Sequence, residues 1–459
     1  MNNTSSATVR PSGHRDLTQG SIFKNLLSLC WPMIISDGLN LSGPTIDMLW
    51  VGRLGAADMA GVGVSGLVLN LVNLGIMGVN IGLRALIGRF IGNNDIEGAK
   101  NVGRQAVVLS IFYSVLIATI LIIFSTPILK LFGVEPEVVT EGSAYLKLAL
   151  VGIIPTSIHR MAEAIMQAAG DSVTPMKLSL IMRITHVCLD PFLIFGWWIF
   201  PDLGVSGAAL ANIIAASVGA AIGLIFIFTG RTRVKFTLRR FRVDFQTMGR
   251  ILRIGIPSSI SSAQRSFGAI VLMGLITPFG TLAVASYSML TRIQQFASTT
   301  NAGFGRASAV LVSQNLGAGQ PKRAEKSTWL AMALSEGVIL LLAILMLIWS
   351  SQTIRIFTPD TNLTHYAEVL LKIMLLGYSL TACQSILAQC LIGAGDTIPA
   401  MLFDLISMWV ITLPLAYILS KSTSLGVYGI WWALAIGIWL SATVYFIYFR
   451  IGRWKYKVI

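Results

Sequence analysis

The sequence predicts an all-α integral membrane protein, with twelve transmembrane helices in two six-helix lobes related in parallel. Three observations predict it. The chain of 459 residues is 54% hydrophobic and 12% charged, against roughly 25% charged in a soluble domain, and its mean hydropathy is +0.74. Twelve apolar runs each approach or exceed the roughly 20 residues that cross a bilayer. The two halves also repeat at one fixed offset. Pro32 matches Pro257, Gly55 Gly280, Gly78 Gly303, Gly92 Gly317, and Gly170-Asp171 matches Gly395-Asp396, every pair 225 residues apart. GVSGAA at 204–209 then echoes GVYGIW at 426–431, with three residues lost. Six spans per copy is an even number, so both copies insert the same way round. Parallel repeats of this kind place a substrate site between the halves and rock against each other.

Residues 1–24 read as a polar cytoplasmic tail without the apolar core of a removable signal. The N-lobe covers 25–229, with spans at 25–51, 59–88, 103–126, 140–166, 175–199 and 205–229. A basic linker occupies 230–250. The C-lobe covers 251–449, with spans at 252–277, 283–313, 328–350, 365–393, 399–420 and 426–449, and 450–459 form a second tail. Basic residues set the orientation. Arg10, Arg15, Lys24, Arg89, Lys100, Arg104, Lys322, Arg323, Lys326, Arg450, Arg453, Lys455 and Lys457 fall on one side, so both termini are expected in the cytoplasm. The net charge of +14 is thereby explained by topology, and a nucleic-acid partner is not expected. In the linker, Phe236, Phe241 and Phe245 interleave with Arg239, Arg240 and Arg242, which suits an anionic leaflet. Cys30, Cys188, Cys383 and Cys390 lie in apolar runs without paired spacing, so neither disulfides nor zinc are implied.

The duplicated loops 92–101 and 317–326 read as glycine turns that start a helix. GDSVTP (170–175) and GAGDTIP (393–399) read as a glycine stop, an Asp cap and an early proline. Arg84 and Arg306, near span ends, are expected to snorkel to the interface.

Acids inside spans carry the chemistry. An acid at the bilayer centre costs about 2.5–3.5 kcal/mol, so it faces a cavity or pathway. The first span holds Asp37 and Asp47. Ser36, Asn40, Gly43 and Asp47 share one helical face, and Pro44 weakens the helix one turn before Asp47. In the fifth span His186 and Asp190 are four apart, so the imidazole can reach the carboxylate, and Asn212 of the sixth span can join them. A structural His–Asp pair holding helices together is the plainer alternative. Asn40, Gln294, Gln295, Gln384, Tyr287 and Tyr378 are candidates for a substrate cavity. No P-loop, nucleophile pair or metal cluster occurs, so no cofactor, no enzyme activity and no ATP drive are expected.

The stretches DMLWVGRLG (47–55), QAAGD (167–171), DPFLIFG (190–196), LGVSGAALAN (203–212) and QNLGAG (314–319), with Gly92 and Arg292, resemble the multidrug and toxic compound extrusion transporters over roughly residues 20–450. The resemblance implies two six-helix lobes around a central cavity. It also implies export of amphipathic or cationic drugs or metabolites by antiport with H⁺ or Na⁺, from a monomer in the cell (inner or plasma) membrane. The family's cation site falls on Asp47, His186, Asp190 and Asn212, with Asp37 a further candidate. His186 stands where Asn is usual and Asn212 where Thr is common. Imidazole replaces an amide oxygen that sodium would use, so protons are favoured, with Na⁺ at Asp47 and Asp190 the alternative. In the C-lobe the matching stretches show Ser261, Ser262, Gln264, Thr381 and Gln384, so no second cation site is expected there. A flippase of lipid-linked oligosaccharide is the competing reading. It would line its cavity with arginines, for which Arg183, Arg265 and Arg292 are the candidates.

Overall fold

The computed structural model describes residues 16–230 and 242–459, and every regular element among them is helical. The first half holds α1 (Ile22–Val51), α2 (Ala56–Gly92), α3 (Ile96–Leu131), α4 (Pro136–Ala168), α5 (Val173–Phe195) and α6 (Val205–Thr229). The second holds α7 (Phe245–Ile276), α8 (Thr281–Gly317), α9 (Pro321–Ile348), and a short α10 (Ser350–Arg355). Its tenth crossing is α11 (Thr361–Gly377), a 3₁₀ turn and α12 (Thr381–Ala394). The eleventh is α13 (Thr397–Leu405), a π-helical stretch Ile406–Thr412 and α14 (Leu413–Lys421), and the last is α15 (Val427–Ile451).

These make twelve long helical segments, ten of them apolar enough to cross a membrane by length and composition. The other two, α1 and α8, are as long but more polar, and they pack against each other. Helix starts keep the repeat's register. Ala56 corresponds to Thr281, Ile96 to Pro321, and Val205 to Val427 after the three-residue loss.

Polar side chains cap the starts of α1, α3, α7 and α11. Asp95 accepts from the Gly98 N–H at 2.8 Å, and Ser21 and Asp360 likewise cap α1 and α11. Asp244 starts α7 inside the segment expected to be linker, and Ser21 starts α1 three residues before the expected end of the first tail. Hydrogen bonds from the Thr247 side chain and backbone, then from Asn101, pull the Asp244 carboxyl down to about 2. The aromatic–arginine stretch Phe236–Phe241 lies outside the described residues. The final residues are not a free tail. Trp454 is fully buried against Phe449, and Lys457 pairs with Asp396 at 3.0 Å.

The loop readings need correction at two points. In the first loop the left-handed residue is Asn94 (φ 57°) and not a glycine, whereas in the second Gly319 (φ 69°) supplies it as expected. Gly92 and Gly317 end helices that press on the other half. Asp171 accepts from the Thr174 N–H as a cap should. Asp396 does not, because Tyr448 and Lys457 reach its carboxylate first.

The halves meet along a seam of glycines. A Cβ on Gly92 would strike the Gln314 backbone, and one on Gly317 would strike that of Arg89. These contacts are equivalent under the 225-residue repeat, as are Gly78 on Ser259 and Gly303 on Ile34. An approximate two-fold axis therefore runs between α2 and α8. All these glycines lie in the second half of α2 and α8, on the side where Asp16 and Ile459, the ends of the described residues, also lie. Within a membrane, small residues let backbones approach where no hydrophobic drive exists.

Gly82→Leu, set against the Ile251 carbonyl, is expected to destabilise the purified protein by about 1–3 kcal/mol through overpacking. Gly274→Ala, where nothing lies within contact distance, should stabilise it by roughly 0.5–1 kcal/mol. Thermal unfolding in detergent micelles measures both.

Candidate functional site

The buried face of α1 is the one the spacing predicts: Ser36, Gly43 and Asp47 are buried, with Asn40 beside them. That face packs on α5. Asp47 is 3% exposed, and His186 and Asp190 are fully buried. His186 Nε2 lies 3.1 Å from Asp47 Oδ1 and 3.5 Å from Asp190 Oδ1, so the imidazole stands between the carboxylates. Among the described residues, Asp47 Oδ1, both Asp190 oxygens and His186 Nε2 form no hydrogen bond. Four polar atoms thus converge in a buried place with hydrogen-bonding capacity left over.

The orientation of the ring follows from a residue that the spacing did not single out. Arg183, one turn before His186, puts Nη1 3.0 Å from His186 Nδ1. A guanidinium has only donors, so Nδ1 must be the nitrogen with the lone pair, and the neutral ring presents Nε2–H to the acids. Arg183 also donates from Nε to the Leu39 carbonyl at 2.8 Å and from Nη2 to the Asn40 carbonyl at 3.4 Å. The Asn40 carbonyl is the one that Pro44 leaves without a helical donor. Gly43 makes room, since a Cβ there would overlap the guanidinium. One side chain therefore satisfies the weak turn of α1, ties it to α5 and fixes the imidazole.

A cavity of about 360 Å³ opens beside this group, lined by Asn40, Pro44, Asp47, Arg183 and Asn212 among others. Asp37 does not join it, because it pairs with Arg306 of α8 across the two halves. Arg306 accordingly turns inward, where snorkelling was expected, and Arg84 likewise bonds Gln167 at 3.3 Å. Tyr287, Tyr378 and Gln294 line a separate cavity in the second half, and Gln295 lies beside Arg292 in an outer recess. Gln384 instead donates to Ser441 at 2.9 Å, joining α12 to α15. Of the three arginines a flippase would aim at its substrate, Arg183 is held by α1 and Arg265 by Asp404 at 3.0 Å.

Two further acids inside helices stand elsewhere, one buried and one half-buried. Glu163 of α4 meets His159 at 3.5 Å and the Ser179 hydroxyl. Glu336 of α9 accepts from the Cys383 N–H at 3.2 Å, beside the 3₁₀ break in the tenth crossing. Sequence reasoning passed over Glu336, although a lone acid in an apolar run (SEGVILL) was the signal.

Replacing Arg183 by Met, the residue at the equivalent repeat position, is expected to release both the ring and the weak turn. The ¹⁵N shifts of His186 should change from a pure Nε2–H form to a mixture. Losing charged hydrogen bonds should lower stability by about 1.5–3 kcal/mol, with Arg183→Lys recovering part of both changes.

A sequence model of the MatE family matches residues 32–192 and again 257–418. The probable multidrug resistance protein NorM of Thermotoga maritima is 28% identical over 444 residues, covering 95% of this chain and 94% of that protein. The probable multidrug resistance protein YoeA of Bacillus subtilis is 24% identical over 96% of each chain. Among solved structures, a multidrug resistance MATE family transporter described in an outward-facing conformation has the same fold, with TM-score 0.90 and 24% identity over 98% of this chain and all of that one. A superfamily transporter from Pyrococcus furiosus, described as having a binding pocket of reverse polarity, superposes equally well, at TM-score 0.90 with 24% identity over 98% of this chain and all of that one. Matched in both halves and over most of its length, the chain belongs to the MatE family, the multidrug and toxic compound extrusion transporters.

Proposed function

We propose that this chain is a proton-coupled exporter of amphipathic organic compounds that alternates access between its two lobes in the cell membrane, with both termini cytoplasmic. The observation that carries the choice of ion is the ring of His186 between Asp47 and Asp190, its lone pair engaged by Arg183. A sodium ion seeks several oxygens in a shell. A nitrogen whose hydrogen faces the acids offers it no ligand, yet suits a carboxylate pair that shares or trades a proton. With both acids ionised, the cluster of Asp47, Asp190, neutral His186 and Arg183 carries one net negative charge. One proton brings it to zero.

That change acts on α1. Ionised Asp47 draws α1 towards the donors of α5 while Arg183 holds the Leu39 and Asn40 carbonyls. Protonating Asp47 removes the attraction at the outer side of Pro44. The helix is then free to bend at the turn that proline weakens. Bending narrows the adjoining cavity and expels its contents. The seam closed on the side of the chain ends fits the outward-open stage of this cycle, and the curated relatives named as multidrug resistance proteins support drugs as cargo. Membership of a transporter family supports this reading over an enzymatic one.

Asp47→Asn and Asp190→Asn are each expected to abolish gradient-driven efflux from vesicles while the protein still inserts. A pH gradient without Na⁺ should drive efflux in the wild type, and a Na⁺ gradient at fixed pH should not. His186→Asn restores an oxygen and should make the Na⁺ gradient effective. Efflux driven by Na⁺ alone in the wild type would overturn the assignment.

A further inference from the structure

The cavity beside Asp47 has a twin. Its counterpart in the second lobe, about 180 Å³, is lined at the same repeat positions, 225 apart before α15 and 222 within it. Asn40 corresponds to Arg265, Asp47 to Leu272, Val62 to Tyr287, Ile153 to Tyr378, Arg183 to Met408 and Ala209 to Trp431. The backbone is conserved down to single contacts. Gly43 leaves space for the Arg183 guanidinium, and Gly268 leaves the equivalent space for the Met408 thioether. Gly152 faces Ile213 as Gly377 faces Ala435. One hollow is therefore built twice, and its chemistry differs between copies. The first is charged. The second has exchanged the acid and the strap for Leu and Met and has gained three aromatic rings.

Those rings make a defined box. Tyr287 and Trp431 lie with centroids 6.0 Å apart at 53°, and Tyr378 is 5% exposed. The Tyr378 hydroxyl is buried without a hydrogen-bond partner among the described residues, although it lines the cavity. A buried hydroxyl left unsatisfied costs about 1–3 kcal/mol, and a ligand with a polar atom would relieve it. Met374 and Met408 supply polarizable, adaptable walls. Met408 sits in the π-helical stretch Ile406–Thr412, a kind of distortion found often at functional sites. The volume matches a ring or small fused ring system, since an apolar cavity near 150 Å³ takes up benzene. Arg265, at the rim, is already paired with Asp404, so the box presents no free charge to its occupant.

We infer that this second-lobe cavity binds a planar aromatic ring carrying one polar atom, such as a ring nitrogen or a phenolic oxygen, as the aromatic portion of an exported compound. The inference rests on the transporter reading but not on the coupling ion. The rings of Tyr287, Tyr378 and Trp431 supply stacking and edge contacts, and the Tyr378 hydroxyl bonds the polar atom. The duplication thus divides the work: the first copy carries the ion-coupled cavity that expels the cargo, and the second holds the cargo's aromatic portion.

The test is binding of 6-fluoroquinoline to the purified full chain in detergent micelles without any gradient, followed by ¹⁹F line broadening. Saturable binding is expected in the wild type. Trp431→Ala, which installs the residue of the first copy, should weaken it about tenfold. Tyr378→Phe, which keeps the shape, should weaken it by roughly two- to tenfold. Asp47→Asn should leave it unchanged, even where efflux is lost, so failure of the coupling reading and failure of this one are told apart. Equal broadening in wild type, Trp431→Ala and Tyr378→Phe would mean uptake by the micelle alone and would overturn the inference. Loss of binding in Asp47→Asn with both aromatic variants intact would place the ring in the first lobe and overturn it as well.

Discussion

Two carboxylates inside a bilayer-spanning lobe must be answered by other groups, and much of the first lobe is arranged to do so. Asp47 and Asp190 come from different helices, so α1 and α5 must pack closely for one imidazole to face both. The imidazole must then be turned the right way, which needs a donor on its far nitrogen. Arg183 is that donor, and its remaining hydrogens find the Leu39 and Asn40 carbonyls, the second of which Pro44 leaves without a helical donor. Gly43 follows in turn, because any side chain there would exclude the guanidinium. The proline, the glycine, the arginine and the histidine are consequences of one electrostatic requirement.

Duplication explains why the rest of the chain can differ so much without changing shape. The second copy keeps the glycines that set helix approach while losing both acids and the arginine. Where the first copy balances charge, the second fills space with Leu, Met and aromatic rings. The equivalent seam contacts, Gly92 on Gln314 and Gly317 on Arg89, show that the lobes still face each other as near copies.

The sequence made legible whatever follows from periodicity and from the cost of burying charge. The number of crossings, the repeat, and the group of Asp47, His186 and Asp190 are all of this kind: i, i+4 spacing puts His186 by Asp190, and an acid in an apolar run has few places to go. Whatever depended on which helices touch was not legible. Asp37 resembles Asp47 along the chain, but its side chain meets Arg306 because α1 crosses α8 at that level. Arg183 was visible as a buried cation, yet its three partners lie on two helices. Gly92 was read as a local turn residue because local rules supply only local reasons, and its actual neighbour is more than two hundred residues away.

The seam of glycines has a mechanical consequence. Contacts at Gly78, Gly82, Gly92 and Gly317 bring backbone or short side chains together, so parting them requires few long side chains to change rotamer. The Asp37–Arg306 pair and the bonds from Arg89 to the Ala394 and Lys457 carbonyls also cross between the halves and must break as they part. In the proposed cycle, a protein held shut along one half of its thickness acts as a wedge in the bilayer, and switching would invert the wedge. Lipid packing in the two leaflets, through their thickness and lateral pressure, would then enter the balance between the proposed states.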